Sequence, residues 1–125
     1  MHPLPDYLRN FIERISRAGH EVWLMGSRAN GTARTDSDWD ILIFGDMELL
    51  DALRKEEPLE ETDILVVHDG DAFQSPWNKT GEGVLKSGSL SGWEWKRKSE
   101  TEATYSGTKW PNDWGSIKKS TRIAP

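Results

Sequence analysis

The sequence predicts an α/β fold, a layered unit of helices and strands within a single domain. Apolar residues recur at helical spacing in some segments and alternate with a period of two in others. Glycine or proline follows most of these segments and ends them. The resulting order over the first 70 residues is helix, strand, short helix, strand, helix, strand, which is typical of helices layered on a sheet. A chain of 125 residues is long enough for one hydrophobic core.

The first two predicted elements are a helix over residues 6–18 and a strand over residues 21–25. The helix is amphipathic because its apolar residues recur three and four positions apart. These residues are Tyr7, Leu8, Phe11, Ile12, Ile15 and Ala18. In the strand, alternation places Val22 and Leu24 on one face and Trp23 on the other.

Four further elements complete the unit. Residues 27–33 suit one or two helical turns, and residues 38–44 form a strand rich in β-branched and aromatic side chains. Asp46 is a suitable N-cap for a second helix over roughly 47–55. Residues 61–67 are the third strand, so the expected unit has three strands and three helical segments.

The chain divides into a core over about residues 1–70 and an irregular, tryptophan-rich C-terminal extension over about 71–125. We treat both as parts of one domain. Residues 92–97 alternate, and Thr104-Tyr105 could supply a second strand, so a hairpin across 99–101 is predicted.

Composition and charge narrow the class of protein. Hydrophobic residues make up 35% of the chain, and the mean hydropathy is −0.71. Because the chain has no cysteine, disulfide frameworks and cysteine-based zinc sites are excluded. No secretory signal or membrane-spanning run is present, so we expect a cytoplasmic protein. The net charge of −5 is uneven: residues 1–95 hold 9 Lys+Arg and 18 Asp+Glu, whereas residues 96–125 hold 7 and 3. An acidic body that binds polyphosphate needs a metal between the like charges.

Two carboxylates open the second predicted strand. Asp38 and Asp40 are one residue apart, so both side chains project from the same face, while Trp39 between them points to the core. Carboxylates this close repel one another unless a cation lies between them. A hard divalent ion such as Mg²⁺ suits such a site because it takes oxygen ligands and leaves room for phosphates.

Asp63 is the natural third ligand. It stands near the start of a strand that is otherwise apolar, where a buried and unpaired carboxylate would be costly. If that strand pairs with the strand of Asp38 and Asp40, the three acids converge on one or two metals. Glu61 would share the face of Asp63 and is the competing candidate.

Gly26-Ser27 follows the first strand and suits phosphate binding. Glycine lets the backbone leave the strand sharply and approach a ligand closely. The amides after it, at the start of a predicted helical turn, can donate to a phosphate oxygen, and the Ser27 hydroxyl can add a hydrogen bond. Arg28 could offer its charge to the same phosphates or pair with a nearby carboxylate.

Taken together, these residues resemble the signature of the minimal nucleotidyltransferases of the DNA polymerase β superfamily. The segment from Leu24 to Leu42 contains Gly26-Ser27, ten further residues and Asp38-Trp39-Asp40, and a third acid follows on a later strand. The resemblance covers roughly residues 1–69 and implies the polymerase β-like fold, a mixed sheet with flanking helices.

The resemblance also implies a reaction and roles for the residues. Gly26 and Ser27 would hold the nucleotide's phosphates, Asp38 and Asp40 would bind the metals, and Asp63 would lie nearest the acceptor hydroxyl as base or metal ligand. The family transfers a nucleoside monophosphate from an NTP to a hydroxyl, which implies Mg²⁺ or Mn²⁺ and most simply ATP. Small members work beside a helical protein partner, including a toxin that they silence, so a protein acceptor or partner is expected. A second hypothesis is a nucleotide- or partner-binding module that has lost catalysis, and a third is a structural domain whose acids face solvent.

The tryptophan-rich segment allows two interpretations. Tryptophans interleaved with basic residues can stack bases and contact phosphates of single-stranded nucleic acid. Trp93 and Trp95 are spaced like residues on one face of a strand, with Lys96 on the other. We favour packing over nucleic-acid binding, since aromatic residues at strand spacing commonly pack in a core.

Overall fold

The computed structural model describes residues 4–26, 39–77, 87–105 and 118–124. Two helices and eight strands lie in these ranges. In chain order they are α1 (Asp6–Arg17), β1 (Glu21–Met25), β2 (Trp39–Phe44), α2 (Met47–Arg54), β3 (Thr62–His68), β4 (Ala72–Gln74), β5 (Ser87–Ser89), β6 (Lys96–Arg97), β7 (Glu102–Tyr105) and β8 (Lys118–Ala124). Neither helix is long and apolar enough to cross a membrane.

The described strands form one mixed sheet in the order β5-β4-β3-β2-β1-β8-β7-β6. The pair β2–β3 is parallel and the other neighbours are antiparallel. The parallel pair is connected through α2, as parallel neighbours require a crossover. The predicted core therefore supplies the three central strands β1, β2 and β3.

Both helices form where the sequence predicts them and pack on one face of the sheet. In α2, the Asp46 carboxylate accepts a hydrogen bond from the Leu49 amide at 2.8 Å, as expected of an N-cap. The helices bury their apolar faces against alternate residues of the central strands. This helix-side core contains Leu8, Phe11, Ile12, Ile15, Val22, Leu24, Trp39, Ile41, Ile43, Leu50, Leu53, Ile64, Val66 and Trp77.

The opposite face of the sheet carries an aromatic core. Its buried members are Trp23, Met25, Leu42, Leu65, Val67, Phe73, Leu90, Ala103 and Tyr105, and Phe44, Trp93 and Trp95 pack against them half-buried. The alternation predicted for β1 is confirmed, since Trp23 lies in this core and Val22 and Leu24 lie in the other.

Residues 90–95, here called the crossing segment, run from one edge of the sheet to the other, because β5 and β6 are its two edge strands. In a flat sheet, seven gaps of about 4.8 Å would separate these edges by about 34 Å. The seven Cα steps from Ser89 to Lys96 span at most about 25 Å. The sheet is therefore curled, and the crossing segment closes its concave, aromatic face.

The C-terminal extension contributes to the same sheet. Its described residues supply β4 and β5 at one edge and β8, β7 and β6 at the other. The predicted hairpin is present between β6 and β7, with Lys96 opposite Thr104 and Arg97 opposite Ala103. Trp93 lies in the turn before β6, so it packs through the crossing segment and not through strand alternation.

Candidate functional site

The site forms where β1 ends against β2. The last residue of β1, Met25, pairs with Asp40, and Gly26 follows with a φ of 67°. A side chain at Gly26 would collide with the Asp40 carboxylate, since its Cβ would lie 2.9 Å from the Asp40 Cγ. Gly26 is therefore required here for two reasons, its left-handed backbone and the space that Asp40 occupies.

Asp40 and Asp63 are direct neighbours on the parallel strands β2 and β3. Because the strands are parallel and in register, both side chains project from the same face, about 4.8 Å apart at their Cα atoms. Both residues are half-buried. The acids could converge only if the strand of Asp63 paired with the strand of Asp40, and the two strands do pair at these residues.

The two acids lie at one end of the aromatic face. Alternation along β2 places Asp40 on the side of Leu42, and alternation along β3 places Asp63 on the side of Leu65. Trp39 is buried on the opposite side in the helix-side core, as predicted. The carboxylates therefore face the concave side of the sheet and not the helices.

Tyr105, a residue that the sequence argument missed, completes the described part of the site. Its hydroxyl accepts a hydrogen bond from the Gly26 amide at 3.1 Å, and only 5% of the residue is exposed. Burial raises the pKa of this hydroxyl, the Gly26 hydrogen bond lowers it, and the negative charge of Asp40 raises it, with a net rise above the usual value. Tyr105 is consequently a protonated phenol against Gly26 at neutral pH.

No sequence signal distinguishes Tyr105 from an ordinary strand aromatic. Its strand, β7, is two positions away from β1 in the sheet, so only the order of the strands brings it to Gly26. The bond also changes the expectation for the glycine, because the Gly26 N–H is occupied by Tyr105. Gly26 would therefore contribute to phosphate binding through its backbone conformation and not through its own N–H group.

Three predicted site residues, Ser27, Arg28 and Asp38, lie outside the described residues. Within the described ranges no group of three or more potential metal ligands is found, so Asp40 and Asp63 are a pair there. An all-oxygen pair beside Gly26 fits a hard divalent ion such as Mg²⁺, which needs few protein ligands.

The competing candidate, Glu61, precedes β3 and does not lie within it. It is exposed and has a φ of 54°. The alternation that placed it on the face of Asp63 therefore does not extend to it. Its carbonyl oxygen accepts a hydrogen bond from the Trp39 amide at 2.8 Å, which attaches the start of β2 to the residue before β3.

The tryptophans of the crossing segment pack against other rings. Trp93 lies 4.5 Å from Phe73 and 5.5 Å from Tyr105, measured between ring centroids. Trp95 lies 5.2 Å from Trp23 and 6.2 Å from Tyr105. These contacts support the packing interpretation for both residues.

Comparison with known proteins gives one match. The family model described as "Nucleotidyltransferase domain" matches residues 6–101. The match includes Gly26, Asp40 and Asp63, and it ends before Tyr105. Searches of curated proteins and of solved structures returned no significant match to the chain.

Proposed function

Because the chain belongs to the nucleotidyltransferase domain family, we propose that it is a Mg²⁺-dependent enzyme that transfers a nucleoside monophosphate from an NTP, with ATP preferred, to a hydroxyl. The observation that carries the proposal is the register of Asp40 opposite Asp63 beside Gly26. Two carboxylates held on one face beside a glycine turn are suited to a metal-bound triphosphate.

The metal would be held by Asp40 and Asp63 together with Asp38. When bound, Mg²⁺ or Mn²⁺ would neutralise phosphate charge at the transferring group. A metal is needed here for a further reason, because the acids and the triphosphate carry charge of the same sign.

The residues of the chain would bind and orient the two substrates. Gly26 lets the backbone turn out of β1, so that the amides after it and the Ser27 hydroxyl can receive the phosphates, with Arg28 adding charge. Asp63 would lie nearest the acceptor. The acceptor oxygen forms a bond to the α-phosphorus, the bond from that phosphorus to the bridging oxygen breaks, and pyrophosphate leaves. The proton of the hydroxyl passes to a carboxylate or to solvent.

The acceptor in this proposal is a hydroxyl of a protein or of a small molecule. Gly26 and Asp40 would serve the donor side of the reaction, and the acceptor would be a separate molecule. A helical toxin that the enzyme nucleotidylates is one such acceptor.

The test uses labelled NTPs and, as candidate acceptors, proteins that co-purify with the chain. Asp40→Asn and Asp63→Asn should each reduce Mg²⁺-dependent transfer by at least about 100-fold, as expected on losing a group that stabilises transition-state charge. Asp51→Asn is the matched control. Asp51 lies exposed on α2, and α2 packs on the face opposite the acids.

Two outcomes would count against the proposal. Transfer that persists in both site variants would overturn the assignment of the acids. Tight binding of MgATP without transfer to any acceptor would favour the second hypothesis, a nucleotide-binding module without catalysis.

A further inference from the structure

Resting on the proposed function, we propose that Tyr105 is a positioning residue of this site, whose hydroxyl holds the Gly26 turn and orients the Asp40 carboxylate for binding the metal. Tyr105 lies beyond the residues that the family model matches. The C-terminal extension would then supply a working part of the site and not only an edge of the sheet.

The geometry of three residues carries the proposal. The Tyr105 hydroxyl accepts from the Gly26 amide at 3.1 Å, and the Asp40 carboxylate lies in the space that a Gly26 side chain would fill. A phenol that accepts one hydrogen bond still has its own proton to donate. The Tyr105 hydroxyl and the Asp40 carboxylate thus both lie against Gly26, and in the proposal this O–H is directed to the carboxylate.

The reach of the side chain explains why a tyrosine is used. One strand, β8, lies between β7 and β1, so the backbone of Tyr105 is about two strand spacings, or roughly 10 Å, from β1. The long phenol spans much of this distance over β8. The intervening strand is itself fixed to β1, because the buried Ser120 hydroxyl donates to the Leu24 carbonyl oxygen at 2.8 Å.

The ring of Tyr105 is held by its neighbours. Trp93 and Trp95 of the crossing segment stack with it, each at an interplanar angle of 27°. Because two large neighbours fix the ring, its hydroxyl keeps one position. A group that orients a metal ligand needs such a fixed position. In this proposal the crossing segment holds Tyr105 in place, so the aromatic core supports the site as well as the fold.

The test compares two tyrosines whose hydroxyls each form a hydrogen bond with the backbone. Tyr105→Phe removes the hydroxyl and keeps the stacked ring. Tyr7→Phe is the matched control, since the Tyr7 hydroxyl donates to the Glu60 carbonyl oxygen at 2.9 Å from α1, on the other face of the sheet. Mn²⁺ is titrated into each full-length variant, and free Mn²⁺ is measured by electron paramagnetic resonance.

We expect Tyr105→Phe to raise the Kd for Mn²⁺ by about 10-fold, the usual effect of losing a residue that orients a metal ligand, and Tyr7→Phe to leave it unchanged. Thermal unfolding of both variants reports any loss of fold. In the transfer assay, kcat should fall more for Tyr105→Phe than for Tyr7→Phe.

The outcomes separate this inference from the proposed function. If Asp40→Asn abolishes Mn²⁺ binding but Tyr105→Phe binds Mn²⁺ as tightly as Tyr7→Phe, the role of Tyr105 is structural and the inference is wrong. If the wild-type chain binds no Mn²⁺ and transfers no nucleotide, the proposed function fails and the inference fails with it. A weakened site in Tyr105→Phe with an unchanged melting temperature supports the inference.

Discussion

The Tyr105 hydroxyl accepts a hydrogen bond from the Gly26 amide at 3.1 Å and so connects the seventh strand to the glycine that ends the first. These residues are 79 positions apart in the chain. The bond places a buried phenol beside Asp40, which lies directly opposite Asp63.

Gly26→Ala should abolish binding of MgATP, because the new Cβ would displace the Asp40 carboxylate. Gly70→Ala is a matched control. Gly70 also has a left-handed backbone, with a φ of 78°, but a Cβ there would meet nothing within 4 Å. Each substitution should lower the free energy of unfolding by about 1–2 kcal/mol through backbone strain. Calorimetric titration with MgATP separates the two, and equal loss of binding in both variants would contradict the steric explanation.

Mg²⁺ should raise the melting temperature of the wild-type chain, and EDTA should reverse the rise. A ligand that binds only the folded state stabilises it by about 2.7 kcal/mol at 100 times its Kd. In Asp63→Asn the rise should be lost, because an uncharged amide replaces one of the two neighbouring carboxylates. Asp51→Asn should keep the full effect, and a rise that survives in Asp63→Asn would show that Mg²⁺ binds elsewhere.

Glu21 should contribute stability that is lost in acid. Burial raises its pKa, but hydrogen bonds from Trp23 and Arg97 and the charges of Arg97 and Arg122 outweigh burial, and the net pKa lies below its usual value of 4.5. The Arg97 guanidinium donates to Glu21 at 2.9 Å and so connects β6 to β1. A lowered pKa in the folded state gives a contribution that is present above about pH 4.5 and disappears as the pH falls through the folded value.

The measurement is the difference in unfolding free energy between the wild type and Glu21→Gln as a function of pH. The variant should be less stable at pH 7, and the difference should shrink as the pH falls below 4.5. Glu60→Gln, at an exposed position before β3, is the control and should show no such trend. If the difference in unfolding free energy stays constant down to pH 3, it does not come from the ion pair between Glu21 and Arg97.

Single-stranded oligonucleotides should not quench the tryptophan fluorescence in a salt-dependent manner. Trp93 and Trp95 already contact other aromatic rings, which leaves little ring surface for stacking bases. Saturable quenching that weakens with added salt would instead indicate nucleic-acid binding.

Much of the fold could be predicted from local patterns. The helical spacing of apolar residues predicted α1, and the N-cap Asp46 predicted the start of α2. The alternation of side chains in β1 predicted that Trp23 lies on the face opposite Leu24. These features depend on neighbours within a few positions along the chain, so the sequence carries them directly. The strands of the extension are short, from two to seven residues, and local patterns predicted only the hairpin of β6 and β7.

The chemical groups of the site can be recognised in the sequence: a glycine after a strand, acids near the starts of β2 and β3, and a motif that resembles the nucleotidyltransferase signature. Their arrangement, with Asp40 opposite Asp63 and Tyr105 against Gly26, comes from the folded sheet. Pairing between distant strands is set by the global packing of the sheet, because backbone hydrogen bonds carry no residue identity. The order of the strands therefore determined which aromatic residue lies against Gly26.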